Sequence, residues 1–325
     1  MSTTAIRPIR IELPFLPNEG SVNVYLFRDP EPVLIDAGFH SEASWQALEV
    51  ALGEHALAIR DLARVIITHP HVDHYGLAAR IARASQAEIW MADVGVQWLQ
   101  HFPDLWQRRI DYYRDDFLPA LGLPSAGQTF LHWMQQSLDA WEPIQPDRIV
   151  SFPVTQALTL GGLDWQPLHL TGHDSQLTCF YQPQTRQLLS SDMLMIPTAT
   201  PVVETPPPGA PRRPALPDFL HSLDRLAALD VEIVYPGHGA LFTDHRQVIR
   251  NQQIRIHERK AECWQHVAAG AQTVAMVFER LYGPRTPAVG MAGLWMVVGY
   301  LDLLQAEGRV TVETIDGVWH FQVTD

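Results

Sequence analysis

The sequence predicts an α/β protein with α+β character, and three observations carry the prediction. The first half alternates short apolar runs with stretches of helical spacing, the sign of βαβ units. Several of these runs end in a histidine or an acid, as strands do where an α/β fold gathers its ligand-binding groups. The chain then closes on amphipathic helices and two alternating runs joined by an Asp316-Gly317 turn, a hairpin signal.

In order, Ile9-Arg10-Ile11-Glu12-Leu13 alternates and Asn23-Val24-Tyr25-Leu26-Phe27 is rich in strand formers. Val33-Leu34-Ile35 follows across the Asp29-Pro30-Glu31-Pro32 turn and ends in Asp36-Ala37-Gly38. Asp36 is there either a turn acid or a carboxylate that hydrogen-bonds a metal-binding loop from behind. Residues 44–52 and 59–62 have helical spacing, Arg64 begins the strand Val65-Ile66-Ile67, and Glu88-Ile89-Trp90-Met91 is a further strand. Residues 95–147 form an aromatic-rich helical insertion, including Trp98, Trp106, Trp133 and Trp141, broken by Pro103, Pro119 and Pro124. Aromatics at helical spacing read first as core and second as the wall of a substrate pocket.

Strands resume at residues 148–150, 158–160 and 165–170, with Gly161-Gly162 as a turn, and residues 177–181 and 187–190 form a hairpin. Residues 197–217 hold eight prolines, which precludes regular structure and predicts an extended loop, either ordered over the site or a mobile cover. A helix capped at Asp218 and the strand Glu232-Ile233-Val234-Tyr235 come next. Helices over 246–267, 273–282 and 292–307 precede the final hairpin. The chain thus divides into a domain over 1–265 and a small winged-helix-like domain over 266–325.

The chemistry sits where strands end. Thr68-His69-Pro70-His71-Val72-Asp73-His74 puts three imidazoles and a carboxylate in six residues after an apolar run. Thr171-Gly172-His173-Asp174, Ser191-Asp192-Met193 and Pro236-Gly237-His238-Gly239 stand at later strand ends, and Gly172 would let the backbone approach an ion closely. Taken singly, His173 fits a satisfied surface histidine equally well, and Asp192 an ordinary strand-end acid. Together His69, His71, Asp73, His74, His173, Asp192 and His238 form a nitrogen and oxygen donor set that suits zinc, iron or manganese.

Of 325 residues 46% are hydrophobic and 18% charged, the balance of a globular protein with a substantial core. A formal net charge of −13 argues against a broad nucleic-acid face and against adhesion to anionic membranes, leaving a small-molecule substrate as the expected partner. Cys179 and Cys263 are too few for a disulfide framework, and neither belongs to a CxxC pair. Residues 1–8 lack the apolar core of a signal peptide, and no uninterrupted apolar stretch approaches membrane-spanning length, so a cytoplasmic location is the default expectation.

HxHxDH, then GH, then a strand-end Asp, then PGHG resembles the metallo-β-lactamase fold superfamily over residues 10–240, with Asp36-Ala37-Gly38 as a fifth matching segment. The resemblance implies an αββα sandwich with a dinuclear centre: His69, His71 and His173 on one ion, Asp73, His74 and His238 on the other, and Asp192 bridging both. The two divalent ions, zinc first with iron or manganese as alternatives, would share a water of lowered pKa and polarise the substrate, with Asp73 orienting the bridging hydroxide. No covalent nucleophile is then required. The diiron flavoprotein pattern has Glu where His71 stands and does not match. Asp174-Ser175-Gln176 departs from the common GHTPG or GHSPG wording. The helix bearing His257-Glu258-Arg259-Lys260 and the winged-helix-like end resemble glyoxalase II-like hydrolases, some of which act on RNA.

Three functions follow. A hydrolase of a small ester, thioester or lactone stands first, a phosphodiesterase or ribonuclease second, and a single-iron sulfur dioxygenase or ligand-binding regulator third. Residues 240–325 carry eight cationic against nine acidic side chains, short of the surplus that nucleic acid requires, so this end reads as structural or homodimer-forming. A single iron would not need Asp73, His74 and His238 together.

Overall fold

The computed structural model describes residues 7–15, 20–123, 127–196 and 201–324. Pro124, the first four residues of the proline-rich segment and most of the N-terminal octapeptide lie outside them.

Strand β1 (Ile9–Pro14) pairs antiparallel with β2 (Ser21–Phe27), and β2 with β3 (Val33–Ile35). From β3 the chain alternates through α1 (Glu42–Glu54), β4 (Arg64–Ile67), the short α2 (Val72–Tyr75), α3 (Ala78–Ala84) and β5 (Glu88–Ala92). Ser41 caps α1 by accepting from the Ser44 amide. Residues 59–62 yield only a single 3-10 turn, Ile59–Asp61, too short to propagate a helix. The insertion consists of α4 (Gln97–Tyr112), a π turn over Tyr113–Phe117, α5 (Leu118–Ala120) and α6 (Gln128–Asp139). Strand β6 (Ile149–Phe152) then lies parallel to β5 and completes a six-stranded sheet in the order β1 to β6. Buried on both faces, β4 needs the unbroken apolar run Val65-Ile66-Ile67.

The second sheet takes β7 (Leu158–Leu160), β8 (Leu163–His169), β9 (Thr178–Gln182) and β10 (Gln187–Ser191) antiparallel. After α7 (Ala215–Ala227), β11 (Ile233–Pro236) joins parallel to β10. Phe27, Ile35 and Ile66 of the first sheet meet Trp165, Phe180 and Leu189 of the second in one buried layer. Such side chains each contribute roughly 1.5–3 kcal/mol. Val24, Leu26 and Val65 face the opposite way, in a cluster with Leu48 of α1 and Ile81 of α3. Two sheets face to face under outer helices make the αββα layering.

Two helices begin earlier than their sequence suggests. Helix α7 starts at Ala215 with Pro214 at its cap, so residues 215–217 of the proline-rich segment are helical and Asp218 is no cap. A first turn tolerates Pro217 because its missing amide has no intrahelical partner there; Asp218 instead pairs with Arg213 at 2.6 Å. The other case is the last helix. Helices α8 (His245–Ala268), α9 (Val274–Tyr282) and α10 (Thr286–Ala306) pack on one another, and α10 gains a first turn across a kink at Gly290, φ 51°. The residue 265/266 boundary falls inside the last turns of α8. Strands β12 (Val310–Ile315) and β13 (Val318–Val323) form the final hairpin.

Among the described residues one helix is long and apolar enough, by length and composition, to span a membrane: Val289–Ala306, mean hydropathy 1.4 and half buried, its apolar run interrupted by Asp302. Its buried face, including Leu294, Val297, Val298, Leu301 and Leu304, has the spacing of a core helix. Asp302 within it accepts from both terminal nitrogens of Arg212, at 2.5 and 2.8 Å.

Candidate metal centre

All seven donors named from the sequence converge at one edge of the sandwich. His69 lies just beyond β4, after Thr68, and His71 is the N-cap of α2, which carries Asp73 and His74. His173 follows β8, Asp192 follows β10 and His238 follows β11, so both sheets contribute. One atom each from His69, His71, His173 and Asp192 fall within 4.8 Å of one another, as do atoms of Asp73, His74 and His238.

Spacing tests whether an ion fits. Bonds of about 2.0–2.1 Å in a tetrahedral shell set ligand atoms about 3.3 Å apart. His71 Nδ1 lies 3.0 Å from His173 Nε2, which lies 3.5 Å from Asp192 Oδ2. His238 Nε2 is 3.2 Å from Asp73 Oδ2 and 3.4 Å from Asp192 Oδ2, and His74 Nε2 is 3.4 Å from Asp192 Oδ1. His69 Nε2, His74 Nε2 and Asp192 Oδ1 are buried with no hydrogen-bond partner, a costly state that a bound cation relieves. The residues fit divalent ions.

Electrostatics separates the donors. Burial, reinforced by His74 and His71, pushes His69 well below the usual imidazole range, and burial with His71 takes His173 down to about 4. Both present neutral nitrogen lone pairs. Around His74 burial again opposes charge, but Asp192, Asp73 and Asp36 outweigh it and hold the ring well above its ordinary range. That surround of carboxylates calls for a positive charge.

Asp36 underlies both groups. Its Oδ2 accepts from His74 Nδ1 at 2.8 Å and from Thr68 Oγ1 at 2.9 Å, and its Oδ1 accepts from the Thr68 amide at 2.8 Å. Thr68 Oγ1 is in turn 3.0 Å from His69 Nδ1, so with its own proton on Asp36 it accepts from that ring. Of the two sequence alternatives, the contacts are those of a carboxylate set behind the donors.

Three features escaped the sequence. Asp174, seen only as a departure in wording, sets Oδ2 3.4 Å from His71 Nε2, while its Oδ1 accepts from the Gln176 amide at 2.8 Å. Asn23 and Tyr25 pin the loop of His238: Asn23 Nδ2 donates to Pro236 O at 2.9 Å and Gly239 O at 2.8 Å, and Tyr25 OH to Pro236 O at 2.6 Å. A buried asparagine between valines was the available signal. Third, Gly172, φ +128°, serves helix packing and not an ion, because a Cβ there would strike the Phe219 backbone of α7. Gly237 is the glycine pressed against the donors, facing the Asp192 carboxylate.

Residues 202–204 of the proline-rich segment lie against this edge. Val202 N donates to His173 O at 3.0 Å, Tyr113 OH donates to Val203 O at 2.6 Å, and the Ser175 amide donates to Glu204.

Comparison with known proteins gives consistent results. The family model described as metallo-beta-lactamase superfamily matches residues 17–238. The chain is similar to the probable metallo-hydrolase YqjP of Bacillus subtilis, 28% identical and covering 96% of this chain and 95% of that protein. It is also similar to the atrochrysone carboxyl ACP thioesterase of Aspergillus fumigatus, 23% identical over 83% of this chain and 70% of the relative. Among solved structures, a metallo-beta-lactamase family protein of Thermus thermophilus superposes with TM-score 0.79 at 22% identity, covering 98% of each chain. A beta-lactamase domain protein of Burkholderia ambifaria gives 0.76 at 21%, covering 97% of this chain and 92% of that one.

Proposed function

Because the chain belongs to the metallo-beta-lactamase superfamily and carries the His/Asp cluster of a metal-dependent hydrolase, we propose that it cleaves a small ester, thioester or lactone at two divalent ions. His69, His71 and His173 would hold one ion, Asp73, His74 and His238 the second, and Asp192 both, zinc being the first choice and iron or manganese the alternatives. When bound, such ions lower the pKa of water toward neutrality and polarise the scissile carbonyl. The chain's own groups do the rest. Although burial opposes charge, His74 and His238 hold Asp73 down to about 2, so it stays ionised and would accept a hydrogen bond from the O–H of the attacking water, orienting it. Asp36 and Asp174 fix ring orientation behind the donors. His71 and His238, with side chains 16% and 27% exposed, mark the mouth through which substrate enters.

The observation that carries this function is the donor spacing of 3.0–3.5 Å in both groups, with Asp192 shared. The similarity to a thioesterase supports an acyl substrate. The second-site Asp73-His74 pair, the helix bearing His257-Glu258-Arg259-Lys260 and the order α9, α10, hairpin support a glyoxalase II-like branch with a winged-helix-like end in a structural or dimerising role. The test is metal analysis of purified protein coupled to a panel of thioesters, lactones, phosphodiesters and short RNA. Turnover of acyl compounds with bound metal is expected; phosphodiester turnover without acyl hydrolysis would replace the proposal by a phosphodiesterase.

A further inference from the structure

A cavity of roughly 220 Å³ lies between the loop Phe39–His40, helices α2 and α3, and helix α6 of the insertion. Its wall is the ligand-bearing helix itself, since Val72 stands between His71 and Asp73 and lines the cavity together with Tyr75 and Ala79. Facing them are the half-buried rings of Trp133 and Trp141 and the buried side chain of Ile144. His40 Nδ1 donates to Ala140 O at 2.8 Å, which ties the ligand-side loop to the end of α6 and closes the cavity there. Phe39 stacks edge-on against Phe15 just past the end of β1, the Phe15 amide donates to Gly20 O at 3.1 Å, and the next residue, Ser21, opens β2 and accepts at its carbonyl from His238 Nδ1 at 2.7 Å. The cavity and the donors therefore share both their helix and their flanking loops.

We infer that this cavity is the subsite for the apolar acyl chain of the substrate, an inference that rests on the hydrolase reading above. Size and lining carry it. Whole small-molecule ligands occupy cavities of about 300–1,000 Å³, so this space admits a substituent and not an entire substrate. Among the described residues no lysine or arginine lines it, and its one carboxylate, Glu142, is already paired with Arg83 at 2.5 Å, so the lining offers a charged group no counter-ion. A polar carrier thiol fits neither the volume nor the walls, whereas a hydrocarbon chain fits both. In the reaction water adds to the acyl carbon, the C–S bond breaks, the thiolate sulfur takes up a proton, and the carboxylate product keeps its chain in the cavity until release.

The test is kcat/KM for N-acetylcysteamine thioesters from acetyl through octanoyl, with a parallel series of acetyl thioesters of lengthening thiols. Binding of the corresponding non-hydrolysable N-acyl amides, followed by tryptophan fluorescence, is measured alongside. Each added methylene is expected to raise kcat/KM about fourfold until the space is filled, the factor that about 0.8 kcal/mol per CH₂ gives. Ser137 lines the cavity from α6, half-buried. Ser137→Phe should collapse the octanoyl-to-acetyl ratio, and Ser137→Ala, which leaves the space open, should retain it. Turnover with a flat acyl series, or a slope that follows the thiol instead, overturns the subsite and leaves the hydrolase standing. If no thioester is turned over, the thioester option of the hydrolase reading fails, and the amides decide the subsite: tighter octanoyl than acetyl binding, lost in Ser137→Phe, supports it, and equal binding overturns it.

Discussion

Asp174 faces His71 across the rim of the cluster, Oδ2 to Nε2 at 3.4 Å, which leaves Nδ1 as the ring nitrogen turned toward the other donors. Its side chain is fully buried, and although burial opposes charge, the His71 contact and Arg109 hold its carboxyl below the usual range. Asp174→Ala is expected to weaken one ion by about 10- to 100-fold and spare the other. Chelator competition measures this; unchanged affinity at both sites would show that Asp174 merely fills space.

Asp36 differs in touching both groups, directly through His74 and by way of Thr68 through His69. Asp36→Asn should therefore weaken both ions, each by about 10- to 100-fold. The contrast with Asp174→Ala is the check, because a general loss of packing would not separate one site from two.

His69→Ala and Asp192→Ala should each abolish metal binding or turnover. Added metal should also stabilise the native protein by about 2.7 kcal/mol at one hundred times its Kd, read as a rise in Tm that His69→Ala loses. Full activity in a metal-free His69→Ala protein would sink the mechanism.

Glu204 predicts a pH dependence. Burial, and next the charge of Asp174, raise its carboxyl above the ordinary value of 4.5. Between the two values the folded chain holds more protons than the unfolded, so this group's contribution to stability falls as pH rises through that window. Glu204→Gln keeps an acceptor for the Ser175 amide and removes the buried charge. The variant should melt higher than the parent at neutral pH, the gap closing below pH 4.5. An equal gap at both pH values would contradict the assignment.

Asn23→Ala removes both side-chain donations to the His238 loop. Pro236 O keeps the Tyr25 hydroxyl and Gly239 O keeps Arg10 Nη1, so the loss should be about 0.5–1.5 kcal/mol per hydrogen bond in denaturant unfolding, with metal affinity falling at the ion proposed for His238.

The donor loop was readable in sequence because its parts are local: Val65-Ile66-Ile67 declares a buried strand, and four donors follow within a few residues. His173, Asp192 and His238 were each ambiguous alone, since strand-end acids and histidines are common, and only their joint placement distinguished them. Asp174 was not readable as a partner of His71, because that contact depends on how β4 and β8, in different sheets, come together. Asn23 carried a weak sign of its role, but its acceptors at Pro236 and Gly239 are set by tertiary placement. The start of α7 was misread because a proline in a first turn looks like a helix stop when the turn's unpaired amides are not counted.

Arg212 belongs to the proline-rich segment that reaches the His173 backbone, yet its guanidinium is gripped by Asp302 of α10 and lies 5.3 Å from the Trp319 ring of β13. The segment against the His173 backbone is thereby moored to the C-terminal helices and hairpin. A graft that exchanged the C-terminal unit for that of a relative would have to carry a partner for Arg212 with it. Without one, the lesion would surface at a ligand loop that the graft never altered.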